Sequence, residues 1–132
     1  MIKIPKDIYE AIIQHAKDDA PIEACGYLAG VVGEVKSIYK MKNTDNSEEH
    51  FSFDPQEQFG AFKDAAKRGE RLIACYHSHP ATPARPSQED IKLAYDPNIS
   101  YIIVSLAGGR VDLKSFKIKS GEVTKEEVEV SQ

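Results

Sequence analysis

The fold of this chain is organised around Leu72-Ile73-Ala74-Cys75-Tyr76-His77-Ser78-His79-Pro80, where an apolar run leads directly into two histidines. The residues before His77 are apolar or small and predict a short buried strand. His77 and His79 stand two positions apart, and side chains at that spacing lie on one face of a strand. The run therefore predicts a strand that presents two imidazoles on the same side of a sheet.

Helix and strand patterns flank this run on both sides. Asp54-Pro55-Gln56-Glu57 and Ser87-Gln88-Glu89-Asp90 have the form of helix starts, each with a capping Asp or Ser. Prolines at 80, 83 and 86 predict an extended connection between the histidines and the second of these helices. The patterns predict helices over 5–20, 54–68 and 87–96, strands over 26–32, 35–41, 72–76, 101–106, 111–118 and 123–130, and a polar loop over 43–50. We expect an α+β fold, with a mixed and mostly antiparallel sheet flanked by about three helices.

The composition is that of a globular domain and argues against several classes of partner. The chain has 132 residues, 41% hydrophobic and 29% charged, with a net charge of −4, and this length predicts one domain over 1–132. There is no basic stripe, so we expect neither nucleic acid nor an anionic membrane as a partner. The first residues lack the apolar core of a signal peptide, so we expect a cytoplasmic protein with reduced cysteines.

The two histidines and a later aspartate are candidate metal ligands. Two neutral imidazoles and one carboxylate leave one position of a tetrahedral zinc ion open for water. Asp90 can supply the carboxylate if the proline-rich connection returns its helix to the histidine side. The alternative is structural, since His-x-His also occurs by chance at a strand end, and Ser87-x-x-Asp90 has the form of a capping box.

His77-Ser78-His79-Pro80, six residues, Ser87, two residues and Asp90 together resemble the signature of the JAMM/MPN-plus zinc metalloproteases. The resemblance implies a compact stand-alone prokaryotic member with an MPN-like, cytidine-deaminase-like domain and one zinc ion per chain. It implies that His77, His79 and Asp90 bind this ion, and that Ser87 hydrogen-bonds the reacting water or the tetrahedral intermediate.

Members of this family also need a glutamate upstream, near the first strand after the N-terminal helix. The segment Pro21–Gly30 fits that place, and the resemblance implies that Glu23 is the general base. The alternative is a solvated acid at a strand entrance. Position within the family pattern favours Glu23 over Glu34, Glu48 and Glu49, because spacing alone does not distinguish them.

The resemblance implies a zinc peptidase or isopeptidase that hydrolyses an amide bond after the Gly-Gly tail of a ubiquitin-like or sulfur-carrier protein. The leaving group would be cysteine, a peptide or a lysine side chain, and the tail would lie extended beside a sheet edge. A second hypothesis is a non-catalytic MPN-type interaction module with a structural or absent metal. A deaminase with His and Cys ligands is disfavoured, because no Pro-Cys-x-x-Cys follows the histidines. The oligomeric state stays open.

Several other residues are chemically suggestive. Strand alternation could aim Cys25 or Cys75 toward the zinc, but we interpret both as small buried apolar residues. We interpret His15 and His50 as surface residues. The aromatic residues near the site, Phe51, Phe53 and Tyr76, belong either to a substrate groove or to the core.

Overall fold

The computed structural model describes residues 1–132. Its strands are β1 (Ile2–Pro5), β2 (Cys25–Val31), β3 (Glu34–Met41), β4 (Arg71–His79), β5 (Ser100–Ser105), β6 (Asp112–Lys119), β7 (Glu122–Glu126) and β8 (Val128–Ser131). Its helices are α1 (Lys6–Asp19), α2 (Pro55–Lys67) and α3 (Gln88–Lys92), with a 3₁₀ turn at Ala107–Gly109.

All eight strands form one mixed sheet in the order β7-β6-β5-β4-β2-β3-β1-β8. Four of its pairings are antiparallel, and three, β1–β3, β1–β8 and β4–β5, are parallel. The α+β class and the mostly antiparallel sheet with three helices are thereby confirmed. The strand that carries the histidines, β4, lies inside the sheet and is paired on both sides.

The start of α2 follows directly from the sequence. The Asp54 side chain accepts a hydrogen bond from the main-chain N–H of Gln56 at 3.0 Å, and Pro55 occupies the first turn. Gly69 follows the helix at a φ of +74°, a conformation that favours glycine and ends the helix there. None of the three helices is long and apolar enough to cross a membrane.

The core is divided between the two faces of the sheet. The apolar face of α1 packs with β1 and with the side chains of β2, β4 and β5 that point toward it, among them Ile12, Leu28 and Tyr76. A second cluster, around Tyr27 and Cys75, packs beneath α2, and a third cluster of β5 and β6 side chains packs beneath α3. Because neighbours along β4 point to opposite faces, the histidines emerge on the face opposite the Tyr76 ring.

Two strand predictions at the ends of the chain were wrong. Residues 2–5 were not predicted as a strand, because four residues are too few to show a clear period; they form β1, parallel to β8. The tail over 123–130 was predicted as one strand, but it breaks at Glu127 into β7 and β8. These strands are the two edges of the sheet, and the single residue Glu127 joins them. Only long-range pairing distinguishes two such short strands from one.

Candidate metal centre and active site

The two histidines lie at the carboxyl end of β4, and both are buried. The strand is longer than predicted and runs through Ser78 to His79. After it, the proline-rich segment returns the chain to the same face, where α3 begins. Nε2 of His77 lies 3.1 Å from Nε2 of His79, and Oδ2 of Asp90 lies 3.2 Å from the first and 3.1 Å from the second. The structure therefore brings all three candidate ligands to one point.

The proline-rich segment also determines which nitrogen of His79 faces this point. Nδ1 of His79 donates a hydrogen bond to the carbonyl oxygen of Pro83 at 2.9 Å. A carbonyl only accepts, so the proton of the neutral ring lies on Nδ1 and Nε2 keeps its lone pair. Nε2 is therefore ready to bind a cation.

The charges of the cluster also favour a cation between its members. Burial lowers the pKa of His79, but hydrogen bonds with Asp90 and Pro83 outweigh burial and leave this pKa above its ordinary value. Burial raises the pKa of Asp90, while hydrogen bonds from His77 and from the protonated ring of His79 hold it far below its ordinary range. Both shifts show that the cluster is most stable when it holds positive charge beside the carboxylate.

The geometry of the cluster fits zinc. Ligand atoms placed tetrahedrally about 2.0–2.1 Å from zinc lie about 3.3 Å from one another, close to the 3.1–3.2 Å separations here. Two imidazoles and one carboxylate form the whole cluster, and neither cysteine belongs to it. Three protein ligands leave one position for water or substrate, as in a catalytic site and unlike a closed structural site with four ligands.

Glu23 comes next to the cluster through the pairing of β2 with β4. The antiparallel ladder extends beyond β2 to Ala24, whose carbonyl accepts from the N–H of Ser78 at 2.9 Å. The N–H of Ala24 in turn donates to Ser78 Oγ at 2.8 Å. Side chains next to this pair point to the opposite face from Ser78, so Glu23 falls on the same face as His77 and His79.

The Glu23 carboxyl group is buried, and its Oε1 atom has no hydrogen-bond partner in the protein. Burial raises its pKa from 4.5 to about 8, and the charge of His79 opposes this shift without cancelling it. A carboxyl group whose pKa lies near neutrality can both take up and release a proton under working conditions.

This pKa predicts how the stability of the metal-free protein depends on pH. Above about pH 4.5 the unfolded chain has released the Glu23 proton, whereas the folded chain keeps it up to about pH 8. Folding takes up a proton in this window, so the contribution of Glu23 to stability falls as the pH rises. In EDTA, we expect the free energy of unfolding of Glu23→Gln to exceed that of the parent by an amount that grows from about pH 5 to about pH 8. Chemical denaturation across this range measures it, and parallel pH profiles would contradict it.

Ser87 is placed by the capping box that the sequence predicted. Its Oγ accepts from the N–H of Asp90 at 3.0 Å, and Asp90 Oδ2 accepts from the N–H of Ser87 at 2.9 Å. The Ser87 hydroxyl is exposed and donates to no protein group, so its hydrogen is available to a substrate. The pair can therefore both cap a helix and serve a metal site, because the same capping box begins α3 and orients the Asp90 carboxylate.

The two cysteines are inert in this fold. Both are free and buried, Cys25 and Cys75 packing with Tyr27 in the cluster beneath α2. Burial raises the pKa of each thiol to about 12, so neither forms a useful amount of thiolate near neutral pH. They are core residues rather than ligands or nucleophiles.

The interpretation of His15 as a surface residue was wrong. His15 is buried against the core, where its Nδ1 lies 2.7 Å from the Tyr76 hydroxyl and its Nε2 lies 3.1 Å from Asp19. A histidine on the inner face of α1 can be buried because both of its ring nitrogens find partners. His50 is exposed, as expected.

A groove of about 1010 Å³ opens beside the candidate metal centre. Its walls are mainly apolar and aromatic, and they include Tyr27, Phe51, Phe53, Phe62, Leu72, Leu93, Tyr95, Ile99 and Tyr101, with His77 and Asp90 also contributing. Phe62 and Tyr95 are 57% and 82% exposed, unusual values for large aromatic residues that have no partner to cover them. Of the three uncertain aromatics, Phe51 and Phe53 line the groove and also pack against the cluster beneath α2, whereas Tyr76 belongs to the core.

No role for Ser78 was predicted from the sequence, and neither was the contact of the Phe51 ring with a candidate ligand. Ser78 is fully buried between the histidines and ties their strand to Ala24, as described above. The Phe51 ring stacks on the His77 imidazole with ring centres 4.6 Å apart. A hydroxyl inside a buried strand needs a hydrogen-bond partner, so the sequence could have indicated a structural role for Ser78. No local pattern indicates that Phe51 stacks on His77.

Comparison with known proteins gives consistent similarities. A family model described as prokaryotic homologs of the JAB domain matches residues 5–119. A CysO-cysteine peptidase of Mycobacterium tuberculosis is 37% identical over 133 residues, covering 98% of this chain and 91% of that protein. A desampylase of Pyrococcus furiosus is 29% identical over 105 residues, covering 80% of this chain and 74% of that protein.

Solved structures resemble the fold over its whole length. The solution structure of the Desulfitobacterium hafniense protein DSY2949 has a TM-score of 0.91 and 45% identity, covering 100% of this chain and 94% of that one. The crystal structure of a JAB1/MPN domain protein from Archaeoglobus fulgidus has a TM-score of 0.68 and 24% identity, covering 98% and 97%. At that identity, the second likeness concerns the fold alone.

Proposed function

This chain belongs to the family of prokaryotic JAB-domain proteins, and from that membership we propose a zinc-dependent peptidase acting on the tail of a ubiquitin-like or sulfur-carrier protein. Peptidase activity is common to its named relatives, and the chain is a hydrolase of this kind. The bond cleaved would be the amide that follows the C-terminal residue of the carrier.

The observation that carries this proposal is the meeting of His77, His79 and Asp90 at 3.1–3.2 Å, with the buried Glu23 carboxyl on the same face. A non-catalytic interaction module needs neither an open metal site nor a buried unpartnered acid beside it. The second hypothesis is therefore disfavoured, because an unpartnered buried carboxyl group costs stability and is retained where it has chemistry to perform.

Each residue of the site has a separate role in hydrolysis. His77, His79 and Asp90 would hold the zinc, which acidifies water and polarises a carbonyl group when it is bound. Glu23 takes a proton from the attacking water onto its carboxylate and later passes it to the nitrogen of the leaving amine. The Ser87 hydroxyl donates to the scissile carbonyl oxygen as negative charge develops there.

The groove suits an extended tail. We expected the tail to lie beside a sheet edge, but β4 is paired with β2 and β5, and the sheet edges are β7 and β8. The tail would instead lie in the groove between α2 and α3, against Phe51 and Tyr101. A Gly-Gly end has no side chains, so its scissile carbonyl can approach a buried site that larger residues cannot enter.

The substrate class is drawn from the named relatives. One is a CysO-cysteine peptidase and another a desampylase, so both a single amino acid and a protein conjugate are candidate leaving groups. We give precedence to the carrier with a terminal cysteine, because the relative named for that substrate matches nearly the whole chain.

The test uses one carrier protein in two forms. In the first form Gly-Gly is followed by cysteine, and in the second the terminal glycine is linked to a lysine side chain. We expect the zinc-loaded protein to cleave at least the first, EDTA to slow cleavage by more than about 100-fold, and added zinc to restore it. Mass spectrometry of the intact carrier measures the products, and a carrier ending in Val-Val is the control. A zinc-loaded protein that cleaves neither form would overturn the proposal.

A further inference from the structure

The buried Asn43 side chain links Glu23 to the loop formed by residues 43–52, the Asn43 loop. Nδ2 of Asn43 donates to the carbonyl oxygens of Glu23 and His50, each at 3.0 Å, with a longer contact of 3.4 Å to the carbonyl of Ser47. Both amide hydrogens are thereby used, one of them on the residue proposed as the base.

The other end of the same side chain closes the loop. Oδ1 of Asn43 accepts from the N–H groups of Asp45 and Ser52, at 3.0 and 3.3 Å. Next to it, the N–H of Thr44 donates to the carbonyl of Ser52 at 3.0 Å. Asn43 is only 5% exposed, and its hydrogen bond to the Glu23 carbonyl is buried, so this bond is shielded from competing water.

The main chain around Glu23 depends on this loop on one side and on β4 on the other. The N–H of Glu23 donates to the Ser47 carbonyl at 2.9 Å, and its own carbonyl accepts from Asn43. The next residue, Ala24, is held by two hydrogen bonds with Ser78, as described above. Without the Asn43 loop, both main-chain hydrogen-bonding groups of Glu23 would lose their partners.

The same loop reaches a proposed zinc ligand. Phe51 lies near its end, and its ring stacks on the His77 imidazole at an interplanar angle of 26°. One buried amide therefore ties the segment that packs against His77 to the backbone that carries Glu23. Asn43 therefore helps to fix the position of Glu23, the proposed base, relative to His77, a proposed metal ligand.

We propose that Asn43 is a positioning residue for hydrolysis, holding the Glu23 carboxylate in place relative to the metal centre through its hydrogen bond to the Glu23 carbonyl. This inference rests on the proposed function, since it requires Glu23 to be the base. The position of a base affects turnover more than substrate affinity, because displacement by about 1 Å can cost about 100-fold in rate.

The test is Asn43→Asp, which keeps the size of the side chain and an acceptor for Asp45 and Ser52 but removes both donated hydrogen bonds. With the cysteine-tailed carrier as substrate, we expect kcat to fall about 10–100-fold while KM changes less than about threefold. Zinc content should stay at one per chain, because the ligands lie on β4 and α3. Asn46→Asp is the control, since it makes the same change on an exposed side chain of the same loop.

Activity is expressed per zinc-loaded, folded molecule, at a temperature well below unfolding, so a purely structural role for Asn43 would leave kcat unchanged. That result would overturn the inference, as would an equal loss in Asn46→Asp. If Asn43→Asp does not fold, Asn43→Ser takes its place, because it removes the amide that donates to the Glu23 carbonyl without adding a charge. A fall in kcat at nearly constant KM is again expected, and unchanged kcat overturns the inference. Turnover retained in Glu23→Gln would instead show that Glu23 is not the base and would remove the premise of this inference, whereas a parent protein that cleaves neither carrier form would refute the proposed function.

Discussion

Replacement of Glu23 by glutamine is expected to stop hydrolysis while one zinc ion remains bound per chain. Glutamine matches the size of the buried side chain, but its amide cannot accept a proton from water at neutral pH. General-base catalysis contributes about 100–10,000-fold to the rate, and in the proposed mechanism the same group also returns the proton to the leaving amine. We therefore expect kcat to fall by at least about 1,000-fold with little change in KM. Kinetics on the cysteine-tailed carrier, with zinc measured on the same sample, provide the check.

The control for this variant is Glu49→Gln, which removes an exposed carboxylate of the Asn43 loop and should retain near-normal turnover. Loss of zinc from Glu23→Gln would mean that Glu23 helps to hold the metal. Retained turnover with full zinc would assign the proton transfer to another group.

Removal of any one of the three proposed ligands is expected to empty the metal site. His77→Ala and His79→Ala each delete an imidazole from the cluster. Asp90→Asn is preferable to alanine, because its amide oxygen can still accept from the N–H of Ser87 and preserve the start of α3. Loss of a residue that only supports a ligand weakens metal affinity by about 10–100-fold, so loss of a ligand should exceed about 100-fold. Zinc content after dialysis against a weak chelator measures this effect, and turnover should disappear with it.

His50→Ala is the matched control, because it removes an exposed histidine that lies outside the cluster. Stoichiometric zinc in all three ligand variants would place the metal elsewhere. Retention in Asp90→Asn alone would reduce the cluster to two imidazoles and require a different third ligand.

Most of the local structure could be predicted from short-range patterns. The Asp54 cap, the capping box of Ser87 and Asp90, and the strand before His77 each depend on residues within one turn or one strand. The strands at the chain ends could not, because β1 and β8 are short and are stabilised by each other across the whole length of the chain. His15 was misjudged for the same reason, since its partner Tyr76 lies on a distant strand.

The same division runs through the candidate site. The chain order alone places His77 and His79 on one face and caps α3 with Ser87, because a strand alternates with period two and a helix start selects its own cap. It does not place Glu23, whose position beside the histidines comes from the hydrogen bonds between Ala24 and Ser78, far apart in sequence. Nor does it reveal Asn43, whose hydrogen bond to the Glu23 carbonyl exists only after β2, β4 and the Asn43 loop have come together. Hydrogen bonds between distant segments carry no local pattern, so the candidate metal-binding motif can be recognised in the sequence, whereas the placement of Glu23 beside it is a property of the folded sheet.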